Sequence, residues 1–239
     1  MLVGSRAGDT LRRYAPALVL LALAMTVSPA DAHHPGADLD TVMGSKERYF
    51  QAVDRRAPPL SLRAGDGRDV TWTDYARKVV VLHFIYASCP DVCPLHAEKL
   101  AEVQAMINQS AMKDLVEFVT ITTDPSNDTP DVLDDYGRNR GFDAANWSHL
   151  TTRPDQSEGT TRALAKAFGH TFTRTDDGYQ THGVVTHIVD RDGRWAGNFH
   201  GLRFEAVNLV LYINGLINRA HAPAKRPEPG WWDRLRGYF

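Results

Sequence analysis

The sequence predicts an α/β fold in which helices flank a central mixed β-sheet. An apolar run from Val79 to Tyr86 is typical of a central strand that is buried on both faces. Two cysteines, Cys89 and Cys93, lie between this strand and a helical pattern from Leu95 to Ile107. Because thioredoxin-like folds display reactive sulfur between a strand and a helix, we predict a thioredoxin-like fold.

The remaining elements follow in order along the chain. Two short β-like segments, Leu60 to Arg63 and Val70 to Trp72, flank a glycine-containing turn and predict an extra N-terminal hairpin. A helix is predicted to begin at Pro130, which suits the first turn. Further strands are predicted at 115–122, 147–152, 183–190 and 194–198, and further helices at 156–168 and 204–217. This order fits a layered α/β domain.

Residues 1–32 have the features of a secretory signal peptide. Arg12 and Arg13 precede an apolar stretch from Ala15 to Val27, and small residues end the segment at Ala30 and Ala32. The stretch is shorter than the roughly 20 residues that span a bilayer. We expect cleavage and export to the bacterial periplasm, in a soluble or loosely membrane-associated form; an uncleaved membrane anchor is the alternative.

The mature chain is predicted to have three parts. Residues 33–59 form an N-terminal segment, flexible to about Ser45, and residues 60–220 form the thioredoxin-like domain. Residues 221–239 form a tail rich in proline and tryptophan. Its aromatic and basic residues could contact a membrane surface, and the alternative is a disordered tail. They are Trp231, Trp232, Arg234, Arg236, Tyr238 and Phe239.

Charge and cysteine content limit the function. The whole chain has 27 basic and 29 acidic residues, and no basic patch favours nucleic acid. A chain of this length can fold without disulfides, and the two cysteines are too close in sequence to join distant parts. In an exported protein, such a pair indicates redox chemistry or metal binding.

The cysteine pair also predicts the type of metal. Cys93 lies near a helix N-terminus, where we expect the helix dipole to favour its thiolate. Two thiolates one turn apart are soft ligands that select Cu(I) or Zn, and a neutral imidazole would complete a site of three. Our candidate for that imidazole is His182, which precedes a late strand, although a lone histidine is more often structural. His83 and His187 fall on predicted strands, which favours buried structural roles.

Three blocks of sequence resemble the Sco/SenC family of copper chaperones. Residues 84–94 contain its C-P-D-[VI]-C-P signature, and residues 123–130 resemble its D-P-x-x-D-T-P segment. Residues 146–151 are similar to its W-x-x-L-T strand. His182 matches the histidine of the family pattern H-S-x-x-x-Y-L-x-x-x-D-G. The likeness runs from roughly Leu60 to Ile217, with the blocks in the family's order.

The resemblance implies that Cys89, Cys93 and His182 bind copper, as Cu(I), Cu(II) or both. It implies a metallochaperone that delivers copper to the binuclear copper centre of cytochrome c oxidase during assembly. Its partners would be the copper-accepting subunit of a haem-copper oxidase and other periplasmic copper carriers or thiol reductants. The chain departs from the family pattern at Thr181, Gly183 and His187. We expect these departures to leave the three ligands unchanged and to affect how the imidazole of His182 is oriented.

Two other functions use the same sulfurs. A thiol–disulfide oxidoreductase would use Cys89 and Cys93 as a redox-active pair that reduces the acceptor's cysteines. Against this as the sole role, three residues separate the cysteines instead of two, and no proline lies near His182. A thiol peroxidase is disfavoured because Tyr86 and Leu82 stand where its motif needs a threonine or serine and a proline.

Five further residues are weaker candidates. We expect Asp124 to be a turn residue, with tuning of the thiols as the alternative, and Asp128 to be a helix cap. Asp91 is expected to be solvated, and it could contact a partner. His33 and His34 would begin the mature chain and could chelate copper through the terminal amine and the imidazole.

Overall fold

The computed structural model describes residues 39–175 and 178–219, except for the side chains of residues 174–182. Its ten strands are β1 Phe50–Arg56, β2 Ser61–Ala64, β3 Asp69–Thr71, β4 Val79–Ile85, β5 Val116–Thr122, β6 Trp147–Thr151, β7 Thr171–Thr175, β8 Gly178–His182, β9 Val185–Val189 and β10 Arg194–His200. Its five α-helices are α1 Leu39–Lys46, α2 Val92–Asn108, α3 Pro130–Asn139, α4 Gly159–Ala167 and α5 Ala206–Arg219.

Eight strands form one mixed sheet, and β7 and β8 form a separate hairpin. The strand order of the sheet is β1-β10-β9-β4-β5-β6-β2-β3. The strands β4, β5 and β6 are parallel to one another, whereas the other pairings are antiparallel. A central mixed sheet flanked by helices is the architecture that the sequence predicted.

The core lies on both faces of the sheet, because β4 is buried on both. Val79, Val81 and Ile85 pack on one face with residues of α1, α2, α3 and α5. Val80 and Leu82 pack on the other face with residues of α4 and the β2–β3 hairpin. The predicted central strand and the predicted N-terminal hairpin are both confirmed.

The order of the strands also brings distant segments to one edge of the sheet. Strand β9 runs antiparallel to β4, with Leu82 opposite His187 and Val80 opposite Val189. The end of β4 and the beginning of β9 therefore lie side by side, at the same end of the central strands. The end of the parallel strand β5 lies at the same edge.

The predicted flexible start is wrong from Leu39 onwards. Residues Leu39–Lys46 form α1, and both Leu39 and Met43 are buried. A Cβ on Gly215 of α5 would approach the Leu39 side chain to 2.5 Å, so the absence of a side chain at this position allows the two helices to pack closely. At the end of α1, Glu47 accepts hydrogen bonds from the Glu205 backbone and the Asn208 side chain, at 3.0 Å each.

Three strands and one helix face differ from the prediction. Strand β1 pairs with β10 at the edge of the sheet, and most of its side chains are exposed. Its sequence therefore lacks the alternation of apolar and polar residues that would have predicted a strand. The hairpin β7–β8 lies in a segment for which the sequence predicts no element. Leu95, predicted on the apolar face of α2, is 51% exposed, and the buried face instead includes Cys93, Ala97 and Leu100.

Some predictions concern residues outside the described part of the chain. The signal peptide at 1–32, the histidines His33 and His34, and the tail at 221–239 all lie there. Within the described residues, no helix has both the length and the apolar character needed to cross a bilayer.

Replacing Met43 tests whether α1 belongs to the folded core. We expect Met43→Ala to lower the free energy of unfolding by about 2–5 kcal/mol, because it leaves a cavity under a side chain that is 2% exposed. Val42→Ala is the matched control, since Val42 is 45% exposed and its loss should change stability by less than about 0.5 kcal/mol. Urea unfolding measures both, and equal effects would contradict the assignment.

Candidate metal centre

A short loop between β4 and α2 carries the first cysteine. The backbone N–H of Cys89 donates to the carbonyl of Tyr86 at 3.1 Å, which closes a turn. The backbone N–H of Ala87 donates to Asp128 Oδ2 at 3.0 Å. The turn places Cys89 just before the helix, and Cys93 lies in the first turn of α2. Pro94 also lies in that turn, where its missing N–H costs the helix no bond.

Both cysteines are buried and free of disulfide bonds. The thiol of Cys93 and the sulfur of Cys89 hydrogen bond to each other. Ser88, Pro90 and Asp91 surround Cys89 in sequence and are exposed, as we predicted for Asp91. The pair is therefore a dithiol that lies just below a solvent-facing loop.

The two thiols differ in acidity. Burial opposes the ionisation of Cys89, but hydrogen bonds from the Cys93 thiol and from the backbone N–H groups of Asp91 and Cys93 outweigh it. The hydroxyl of Tyr86 also donates to this sulfur. Together these donors lower the pKa of Cys89 below its usual value. Cys89 is thus the first of the two to ionise.

The prediction that the helix dipole favours the Cys93 thiolate is wrong. Burial raises the pKa of Cys93 strongly, and the adjacent Cys89 sulfur raises it further. The free N–H groups of the first helical turn point to Cys89, which precedes the helix, so they stabilise that thiolate instead.

Asp128 fixes the cysteine loop, and the prediction that it caps α3 is wrong. Its carboxylate accepts from the Ala87 backbone and from the Thr122 hydroxyl, and burial raises its pKa. The cap of α3 is Thr129, whose hydroxyl accepts from the Val132 N–H at 3.4 Å.

Two other polar groups support the segments around the thiols. The hydroxyl of Tyr136 in α3 donates to the backbone carbonyl of Cys93 at 2.8 Å, which joins α3 to the first turn of α2. Asp124 is the turn residue that we expected, since it accepts from the Asn127 side chain at 2.8 Å and from backbone groups that follow it.

His182 is the last residue of β8, and its side chain lies outside the described part of the structure. Its Cα is paired with that of Thr171 across the hairpin. It precedes β9 by three residues, at the sheet edge where β4 ends. Gly183 has a φ of +96°, a conformation that L side chains rarely adopt, which accounts for glycine at this position. The grouping of His182 with the two thiols stays a prediction.

The other candidate histidines have structural partners. Nε2 of His83 lies 2.7 Å from Thr120 Oγ1. His187 is bonded through both ring nitrogens, at 2.8 Å to His170 and at 2.8 Å to Asn198. Both rings are buried, as we expected of core histidines. Among the described side chains, no three histidines, cysteines or acidic residues form a group that could hold a metal ion.

Two buried histidines near these elements were not predicted from the sequence. His96 lies on the buried face of α2, and its Nε2 is 2.8 Å from Thr186 Oγ1. His170 lies just before β7. A helical period counted from Cys93 instead of Leu95 would have placed His96 on the buried face.

The pKa difference predicts which sulfur reacts first. We expect iodoacetamide to alkylate Cys89 faster than Cys93, with a rate that persists to lower pH, because a lowered pKa keeps the thiolate at lower pH. Peptide mapping by mass spectrometry over a pH series measures both rates. Faster reaction at Cys93 would contradict the assignment, and Cys93→Ala should raise the pKa of Cys89 by removing one hydrogen-bond donor.

Comparison with known proteins identifies relatives of this chain. A protein of Stutzerimonas stutzeri named "Putative copper-binding protein" is 29% identical over 212 residues, which cover 85% of this chain and 94% of the relative. A SCO2-like protein of Rickettsia prowazekii is 27% identical over 122 residues, or 50% of this chain. The chain spans 57% of the length of that relative.

Solved structures share the fold. ScoI of Bradyrhizobium japonicum, solved with copper bound, is 22% identical with a TM-score of 0.56, covering 67% of this chain and 99% of that chain. BsSco, described as a member of the Sco family of cytochrome c oxidase assembly proteins with a disulfide switch, is 19% identical with a TM-score of 0.61. The match covers 70% of this chain and 96% of that chain.

At these identities the solved structures confirm the thioredoxin-like fold and no more. A family model, SCO1/SenC, matches residues 51–213. This match includes the cysteine loop, the segment with Asp128, and strands β8 and β9. Since it covers more than half of the chain, the protein belongs to the SCO1/SenC family.

Proposed function

We propose that this protein binds copper through Cys89, Cys93 and His182 and delivers it to the copper-accepting subunit of a haem-copper oxidase during assembly. The observation that carries the proposal is the reduced, buried thiol pair at the sheet edge where β9 begins. Relatives named for copper binding or solved with copper, and BsSco among the oxidase assembly proteins, support it.

The chemistry of the two sulfurs suits a soft cation. Thiolates select Cu(I), and a neutral imidazole can complete a three-ligand site. Both thiols must lose their protons to bind the metal. Since the pKa of Cys93 is raised, copper must displace that proton, and affinity should rise with pH over the neutral range.

Copper is the cargo, so the site must also release it. The exposed loop residues Ser88, Pro90 and Asp91 leave the Cys89 side of the pair close to solvent. An acceptor thiolate could approach there and exchange with one ligand at a time. Residues 1–32 favour export, so we place the transfer in the periplasm, where other copper carriers or thiol reductants would be further partners.

Replacing His182 tests the third ligand. We expect His182→Ala to keep the alkylation rates of both cysteines but to bind Cu(I) at least about tenfold more weakly, because one ligand is lost. Competition with a chromophoric Cu(I) chelator measures the affinity. His200→Ala is the matched control, since His200 is an exposed histidine in the same half of the chain. Equal affinity of wild type and His182→Ala would remove His182 from the site.

A thiol–disulfide oxidoreductase is a second candidate, favoured by the unequal acidity of the two thiols. The Cys89 thiolate would attack a partner disulfide, forming a mixed disulfide and releasing one partner thiolate. Cys93, after losing its proton, would attack the Cys89 sulfur and release the second partner thiolate. Two electrons pass to the partner, and an intramolecular disulfide remains.

Disulfide reduction tests this second candidate. We expect reduced protein to reduce a model disulfide stoichiometrically, and Cys93→Ser to stop at the mixed disulfide, because no second thiol can resolve it. Mass spectrometry of the products detects the mixed disulfide. His182→Ala should reduce the disulfide at the wild-type rate, which separates this activity from copper binding. Absence of the mixed disulfide in Cys93→Ser would contradict the candidate.

A further inference from the structure

Two consecutive residues of β9 bond to buried histidines on opposite faces of the sheet. Thr186 Oγ1 lies 2.8 Å from Nε2 of His96, which is on α2. His187 Nε2 lies 2.8 Å from Nε2 of His170, which precedes β7. These contacts connect β9 to the helix that carries Cys93 and to the hairpin that carries His182. We call the four residues the β9 bridge.

The positions of these residues relate the bridge to the predicted site. His96 follows Cys93 by three residues in α2, and Thr186 follows His182 by four. On the other face, His170 is adjacent to Thr171, which is paired with His182 across the hairpin. Each bond of the bridge therefore joins β9 to a segment that positions a predicted ligand.

The neighbouring hydrogen bonds determine which histidine donates and which accepts in the bond between His170 and His187. The indole N–H of Trp195 donates to Asn198 Oδ1 at 2.7 Å, so that oxygen is an acceptor. His187 Nδ1, at 2.8 Å from the same oxygen, must then carry a proton. Burial keeps the ring neutral, so Nε2 of His187 accepts and Nε2 of His170 donates.

The bridge connects the hairpin base to β9, and the ring of His170 also lies 5.0 Å from that of Phe84 on β4. Strands β7 and β8 pair with each other and form a separate sheet. The described contacts of the hairpin base also include the His170 N–H bond to Ala165 at 3.0 Å and the partly buried Phe172. The bond to His187 is a polar contact that joins the hairpin base directly to β9.

We propose that the β9 bridge is a positioning network that sets the spacing between the thiols and His182 and thereby sets the affinity for copper. The inference rests on the proposed function. Hydrogen bonds behind the ligands orient them, and their loss typically weakens metal binding about 10–100-fold. The bridge residues need not touch the metal, because they hold the two segments that carry the ligands.

The thiol side of the bridge is tested with Thr186→Val, which removes the hydroxyl and keeps the shape. We expect about tenfold weaker Cu(I) binding in the chelator competition, with both cysteine alkylation rates unchanged. Thr186→Ser should restore the affinity. Thr120→Val is the matched control, because Thr120 is an equally buried threonine on β5, two strands from β9, and its hydroxyl bonds His83 and Trp147, which are not bridge residues. Equal affinities of Thr186→Val and Thr120→Val would overturn the proposal.

The hairpin side is tested with His187→Phe, which removes the bond and keeps an aromatic ring among Phe84, Phe168 and Trp195. We expect faster amide hydrogen exchange in residues 178–184 of the copper-free protein, and weaker Cu(I) binding. Exchange as slow as in wild type would overturn the proposal without reference to copper. If wild type binds no Cu(I), the proposed function and the role of the bridge in affinity both fail, whereas a failed bridge leaves wild-type binding intact.

Discussion

The site depends on the pairing of β4 with a parallel strand on one side and an antiparallel strand on the other. Because β4 is buried on both faces, its position in the sheet is strongly specified. The antiparallel partner β9 begins where β4 ends, and the parallel partner β5 ends at the same edge. The cysteine loop, the segment with Asp128 and the residues before β9 lie at this same end of the strands because of the order and direction of the strands, although they are distant in sequence.

Burial gives the two thiols different roles. Cys93 lies in the first turn of a helix that packs on the sheet, and its thiol is costly to ionise there. The Cys93 thiol therefore donates a hydrogen bond to the sulfur of Cys89. That sulfur also accepts hydrogen bonds from the free N–H groups at the start of the helix. A pair with one ready thiolate and one retained proton favours stepwise chemistry: the first sulfur binds or attacks, and the second follows when its proton leaves.

Local patterns predicted much of the fold and part of the site. The apolar run of β4, the turn of the β2–β3 hairpin and the proline at the start of α3 are signals within a few residues, and all three are confirmed. Strand β1 has no such signal, because an edge strand held by backbone pairing needs no apolar face. The acidity of the thiols depends on which side of α2 faces the core, and counting from the exposed Leu95 hid both the burial of Cys93 and the inward position of His96.

Burying the histidines around β9 costs free energy of folding, and this cost favours a role for them in positioning the segments that they join. A buried imidazole must stay neutral, and burial lowers the pKa of His96 to about 3 and that of His170 to about 4. Replacing both partners of a buried hydrogen bond by apolar groups of similar shape can be neutral or stabilising, whereas a satisfied polar network specifies one arrangement. At position 187, an aromatic ring would fill the space among Phe84, Phe168 and Trp195 without needing any partner. Histidine there instead requires His170 and Asn198 at defined distances, so it limits how β9 and the hairpin can sit. For the proposed copper site, such a fixed geometry matters more than additional stability.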